Sequence, residues 1–180
     1  MAPDRIPSMT LVAAPALTPA GARRVRARIE DARAQYLAVC ASNEEAAGAG
    51  DSSVWHDNFA YEENQRQMHQ LARRVRDLEA LLARARVVDL PVSAPEGVRL
   101  GTVITFDPVD AGPSRRLLLT GMDDGRLSAG RVAYNSPLGQ ALVGLEIGDV
   151  IELGLNGQRA EYEITGLRPA TEAEDEGGLS

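Results

Sequence analysis

Apolar positions change their period midway along the chain. Between Thr18 and Ala46 the residues Ala22, Val25, Ile29, Ala32, Tyr36 and Val39 recur at spacings of three and four, which predicts one face of an amphipathic helix. Thr18-Pro19 supplies its start, an N-cap residue followed by proline at the first helical position. The pattern resumes through Tyr61, Asn64, Met68, Leu71, Val75, Leu78, Leu82 and Ala85. Two seams of similar length, joined by a glycine-containing turn over residues 47–53, predict an antiparallel coiled-coil hairpin spanning residues 17–89. At 1.5 Å per residue its length is on the order of 40 Å. No third segment of helical period is available to cover it, which argues against an ordinary bundle.

Beyond Asp89 the pattern shortens. Leu90-Pro91-Val92-Ser93-Ala94-Pro95-Glu96-Gly97 cannot continue a helix, and residues 90–97 are read as a linker. Val98–Phe106, Arg115–Thr120, Val150–Leu153 and Glu161–Ile164 read as strands, with turns at Asp123-Asp124-Gly125, Gly148-Asp149 and Asn156-Gly157. Asn135-Ser136-Pro137 opens a short helix that runs to Val143. Residues 98–169 are thus expected to form a small antiparallel sheet with one helix, and the whole chain is of the α+β class. Residues 1–16 are read as a disordered leader, and residues 170–180, acidic and glycine-rich, as a disordered tail.

Composition narrows the function. The chain of 180 residues has 19 basic and 26 acidic side chains, a net charge of −7, and every basic residue is arginine. Such an acidic chain is a poor candidate for independent or sequence-specific binding to DNA. A lone cysteine, Cys40, excludes an internal disulfide framework and any cysteine-based zinc site. No run approaches the 18 apolar residues of a membrane span. Met9–Ala16 is too short and too broken by proline for a signal peptide, so a cytoplasmic protein is expected. Within the hairpin the charges segregate. Glu44, Glu45, Asp51, Asp57, Glu62 and Glu63 cluster at the tip, while Arg23, Arg24, Arg26 and Arg28, with Arg73, Arg74, Arg76, Arg84 and Arg86, lie toward the base. An acidic tip on a long rod suits a metal ion or a basic channel as readily as plain solvation.

Several motifs carry a family resemblance. Leu17-Thr18-Pro19-Ala20-Gly21, then Val87-Val88-Asp89, then Asn135-Ser136-Pro137-Leu138-Gly139-Gln140-Ala141-Leu142-Val143-Gly144 and Gly148-Asp149-Val150 occur in that order. Over residues 17–168 the chain resembles the bacterial Gre factors, GreA and GreB, which act on transcription elongation. The resemblance implies a C-terminal domain of FKBP-like fold that binds the rim of the RNA polymerase secondary channel, and a coiled coil that passes down the channel toward the active centre. It places Asn135, Ser136 and Pro137 at the polymerase contact. A helix cap is the structural role of the same residues, and both roles are compatible. Fold alone implies no prolyl isomerase activity.

The family's tip reads acidic residue, two others, then acidic-Asn-Ala-Glu-Tyr, and its acidic pair holds a second Mg²⁺ that activates water for cleavage of backtracked RNA. Counted back without gaps from Val88-Asp89, Tyr61 takes the Tyr place, Asn58 the Asn place and Asp57 the second acid. Val54 then falls on the first acid, and only a three-residue insertion brings Asp51 there. Ala60 replaces the Glu. Trp55 and His56 are additions, read first as a packing staple; the indole also suits stacking in a nucleic-acid channel.

These readings leave two versions of a channel-binding regulator. In one, Asp57 and Asp51 deliver Mg²⁺ and stimulate cleavage of the nascent RNA 3′ end held by the polymerase. In the other, the altered tip occupies the channel without cleavage and inhibits. A coiled-coil scaffold for some other protein is the reading from a different class. An independent hydrolase is disfavoured, since His69 stands alone and no nucleophile–base spacing is present. In either regulator version the catalytic centre belongs to polymerase, so the chain is expected to be an accessory factor and not itself an enzyme.

Overall fold

The structure, a computed structural model, describes residues 14–48, 56–122, 124–155 and 158–179. Two long helices, α1 (Pro19–Gly48) and α2 (His56–Arg84), pack along each other as the hairpin. Thr18 caps α1 as its sequence position demands, its hydroxyl accepting from Gly21 N at 3.0 Å. The seam is unevenly buried. Ala22, Val25, Ile29, Leu78 and Leu81 form a closed cluster with Leu17 near the base. Tyr36, Val39 and Met68 farther out are half-buried, and Tyr61 is exposed. Leu81 lies off the seam expected from the sequence; it is buried because α2 meets the start of the chain as well as α1.

At the base, β1 (Ala16–Leu17) pairs in parallel with β2 (Arg86–Val87). This corrects the leader boundary: Ala16 belongs to a strand, and Pro15 O accepts a hydrogen bond from Arg86 N at 2.7 Å. Residues 1–13, the rest of the expected leader, lie outside the described residues.

After the 90–97 segment come β3 (Thr102–Pro108), β4 (Arg115–Thr120), β5 (Arg131–Ala133), α3 (Pro137–Leu142), β6 (Val150–Leu155) and β7 (Gln158–Pro169). They form a five-stranded sheet in the order β5-β4-β3-β7-β6. Every pairing is antiparallel as expected from the hairpin turns, except β4 with β5, which is parallel. The connection from β4 to β5 passes through a 3₁₀ turn at Leu127–Ala129 and returns the chain in its original direction. One face of the sheet buries Ile104, Phe106, Leu117, Leu119, Leu153 and Ile164 beneath Leu142 of α3. The other face carries Val103 and Leu118, also fully buried.

That second face explains a correction. The C-terminal residues are not a free tail: α4 (Glu172–Gly177) follows β7, and Leu179 and Ala170 cover Val103 and Leu118. A sheet with two apolar faces needs a second cover, and the end of the chain supplies it. Thr171 and Glu174 make a capping box that starts α4.

The hairpin is docked on the sheet domain. Met122 N donates to Ala16 O at 2.9 Å, and Ala16 N donates to the Tyr134 hydroxyl at 3.1 Å. Arg24 reaches Asp124 with Nε at 2.7 Å and closes a second, shorter bond through its other arm.

Candidate functional site

Asn135, Ser136 and Pro137 sit where β5 turns into α3. Ser136 is the N-cap: its Oγ accepts from Gly139 N at 3.0 Å and donates to Ala133 O at 2.7 Å. Pro137 occupies the first helical turn, where its missing N–H costs nothing. Gly139 lets α3 lie against β5, since a Cβ there would stand 2.0 Å from Ala133 O. These features hold Pro137 exposed at the rim of an open depression of ≈ 760 Å³. Its lining includes Leu127, Arg131, Val132 and Leu138 beside Asn135 and Ser136. The structure therefore gathers the three residues expected to contact a partner into one concave, mixed apolar and polar surface.

Arg131 was not foreseen from the sequence, where it is one arginine among many. It is 7% exposed, its Nε has no hydrogen-bond partner, and one guanidinium arm donates to Glu176 O at 3.3 Å. Burial, reinforced by the neighbouring Arg24 charge, pushes its pKa below the ordinary arginine value. Arg24 shows the opposite balance. Burial works against its charge, but the hydrogen bond to Asp124 and the charges of Asp124, Asp175 and Glu176 outweigh it, so its pKa is raised.

The tip residues are placed less fully. Asp51, Val54 and Trp55 lie outside the described residues. His56, Asp57 and Asn58 fall at the start of α2, and their side chains lie outside the described residues as well. Adjoining them, Glu63 pairs with Arg66 at 2.7 Å and accepts from Gln67, while Tyr61 accepts from Gln65. Among the described residues no group of three or more His, Cys, Asp or Glu side chains is placed to hold a metal ion. His69 is exposed on α2, beside Tyr36 and Leu37.

At the base, Arg23 pairs with Glu176, Arg24 with Asp124 and Arg73 with Asp77. Arg28, Arg74 and Arg84 line a groove of ≈ 460 Å³ with Met122, whereas Arg33 bridges Glu30 at 2.9 Å and Glu79 at 2.5 Å. Among the described residues no helix is long and apolar enough to cross a membrane.

Comparison with known proteins covers most of the chain. Residues 16–87 match the family described as "Transcription elongation factor, N-terminal", and residues 93–169 match "Transcription elongation factor, GreA/GreB, C-term". The transcription elongation factor GreA of Phenylobacterium zucineum is 31% identical over 128 residues, 71% of this chain and 80% of that protein. GreA of Rhodospirillum rubrum is 29% identical over 153 residues, 84% of this chain and 96% of the relative. Among solved structures, Gfh1 of Thermus aquaticus is 21% identical with a TM-score of 0.41, covering 87% of this chain and 99% of its own.

Proposed function

The chain belongs to the GreA/GreB family of transcription elongation factors, and from that premise we propose that it binds RNA polymerase at the secondary channel and directs its hairpin tip toward the active centre. The observation that carries this reading is the joint placement of two features. One is the depression bearing Asn135, Ser136 and Pro137, and the other is a hairpin whose α1 has 30 residues, about 45 Å at the helical rise, fixed at its base to the same domain. The mixed apolar and polar wall suits a protein surface. The rod reaches far beyond that contact with an acidic end. The polymerase supplies the reactive centre, and the chain is an accessory to it.

At the tip, Asp57 and Asp51 are hard oxygen donors of the kind Mg²⁺ takes. In this reading they bring the ion to the transcript held in the polymerase, and no cofactor is resident on the chain alone. A second reading has its own support: Val54 has no donor atom and Ala60 no carboxylate, which favours a tip that fills the channel and slows synthesis. Transcript cleavage on a backtracked elongation complex with Mg²⁺ separates the two. Cleavage that is lost in Asp57→Ala supports ion delivery, with Asp51→Ala testing whether Asp51 is the other donor. Absent cleavage with declining run-off synthesis supports occupation. Neither effect, with no competition against another secondary-channel binder, returns the protein to the scaffold reading.

A further inference from the structure

The residues after β7 lie outside the matched region, which ends at residue 169, yet they join the two halves of the molecule. Asp175 is 2% exposed. It accepts from the Thr18 hydroxyl at 2.7 Å and from Ala20 N at 3.2 Å. Ala20 N is one of the donors that a helix start leaves without an intrahelical acceptor. Asp175 therefore caps α1 from the far end of the chain, with its charge at the positive end of the helix dipole. Around it, Arg24 donates to Asp175 O at 2.6 Å and Glu176 O at 3.1 Å, and Arg23 Nε donates to Glu176 at 2.7 Å.

The segment is equally well fixed to the sheet. Arg168 of β7 grips both oxygens of Glu174, at 2.8 and 2.5 Å. Leu179 N donates to Ala129 O at 2.9 Å. Gly178 has φ 91°, and a Cβ there would lie 2.3 Å from Ala129 O, so only glycine admits this approach. The start of the segment is thus held by β7 and its finish by the 3₁₀ turn, while Asp175 between them holds the first turn of α1.

We propose that residues 171–179 are a positioning clamp, with Asp175 as its central contact, that keeps the hairpin in one direction relative to the sheet domain. The remaining contacts run through Ala16, Leu17, Arg24 and Met122, all at the base of the rod, which makes that base its pivot. A rod of about 45 Å turns a swing of only 10° about that pivot into a displacement of about 8 Å at its end. The clamp adds further attachment to the first turn of α1, through Thr18, Ala20 and the same Arg24 guanidinium that Asp124 holds. Its consequence for polymerase rests on the channel reading above: a chain that samples several directions presents the competent one for a fraction of the time, and its apparent affinity falls by that fraction.

The test uses the full chain with one spin label on Cys40 and another on Asp110→Cys, comparing the parent with Asp175→Ala and with a chain that ends at Thr171. The expected result is one narrow distance in the parent and a broadened distribution in both variants. With polymerase, the concentration for half-maximal effect rises about tenfold while the effect at saturation is unchanged. Asp175→Asn, which keeps one acceptor, falls between. Unchanged distance widths in both variants overturn the clamp. So does a broadened distribution with an unaltered half-maximal concentration, or a loss confined to the saturating effect. If the parent itself leaves polymerase unaffected, the channel reading fails and the distances alone still decide the clamp.

Discussion

Replacing Gly139 by alanine sets two effects of opposite sign against each other. Within a helix, alanine is favoured over glycine by about 1 kcal/mol, and on that ground alone Gly139→Ala stabilises α3. The packing says otherwise. A Cβ at 139 stands 2.0 Å from Ala133 O, 2.7 Å from Tyr134 Cα and 2.8 Å from Ala133 C. All three are backbone atoms of the strand end that carries the cap, so none can turn aside as a side chain would. Relief requires α3 to lift off β5 by about 1 Å, which strains the Ser136 Oγ bonds to Ala133 O and Gly139 N. Overpacking of this kind costs roughly 1–3 kcal/mol, and weakening one cap adds about 1 kcal/mol. The net expectation is a loss of about 1–3 kcal/mol, or roughly 3–10 °C in Tm for a chain of this size. Gly177→Ala is the matched control, because nothing lies within 4 Å of a Cβ at the end of α4; it is expected to be neutral or to gain a few tenths of a kcal/mol. Thermal and urea denaturation of the two variants read the difference directly. A Gly139→Ala protein as stable as its parent would refute the claim that backbone contact, and not helix propensity, dictates glycine here.

Two further expectations follow from burial and charge. Ile29→Ala removes a side chain that is 5% exposed in the base cluster and should cost about 2–5 kcal/mol, whereas Leu37→Ala, 65% exposed, should cost under about 0.5 kcal/mol; hydrogen exchange should show the same gradient from base to tip. The Arg168 guanidinium, with the hydrogen bonds from Thr171, holds the Glu174 carboxyl down to about 2 against burial that raises it. Because the folded pKa is depressed, the contribution of this pair is complete above the ordinary carboxyl value near 4.5 and is lost as pH falls through about 2. The Tm difference between the parent and Glu174→Gln should therefore be flat above pH 5 and close toward pH 2; a difference that vanishes already at pH 5 contradicts the assigned pair.

Local chemistry made much of this protein readable before any coordinates. Thr18-Pro19 and Ser136-Pro137 start helices because a hydroxyl cap and a proline in the first turn act within a few residues of their own position. The seam from Ala22 to Ala32 is buried because helical period places those residues on one face. Asn135-Ser136-Pro137 was legible as a helix start for the same reason, while its place as a partner contact came only from the family resemblance. Thr171-Glu172-Ala173-Glu174 was equally local, a capping box that signals α4, but the acidic, glycine-rich composition around it pointed to disorder.

Tertiary structure decided what depends on residues far apart in the chain. Arg131 resembles every other arginine in the sequence, and it is buried where the folded chain brings Glu176 of α4 and Arg24 of α1 beside it. Val103 and Leu118 face away from the main core, so their burial had to wait for Leu179 to arrive from the end of the chain. The parallel pairing of β4 with β5 depends on how the intervening 3₁₀ turn folds back, and the contact of Thr18 with Asp175 joins residues 157 positions apart. A pattern of period two or 3.6 specifies which face of an element is apolar. It carries no information about which distant element covers that face, because that choice is made by shape and charge across the assembled fold.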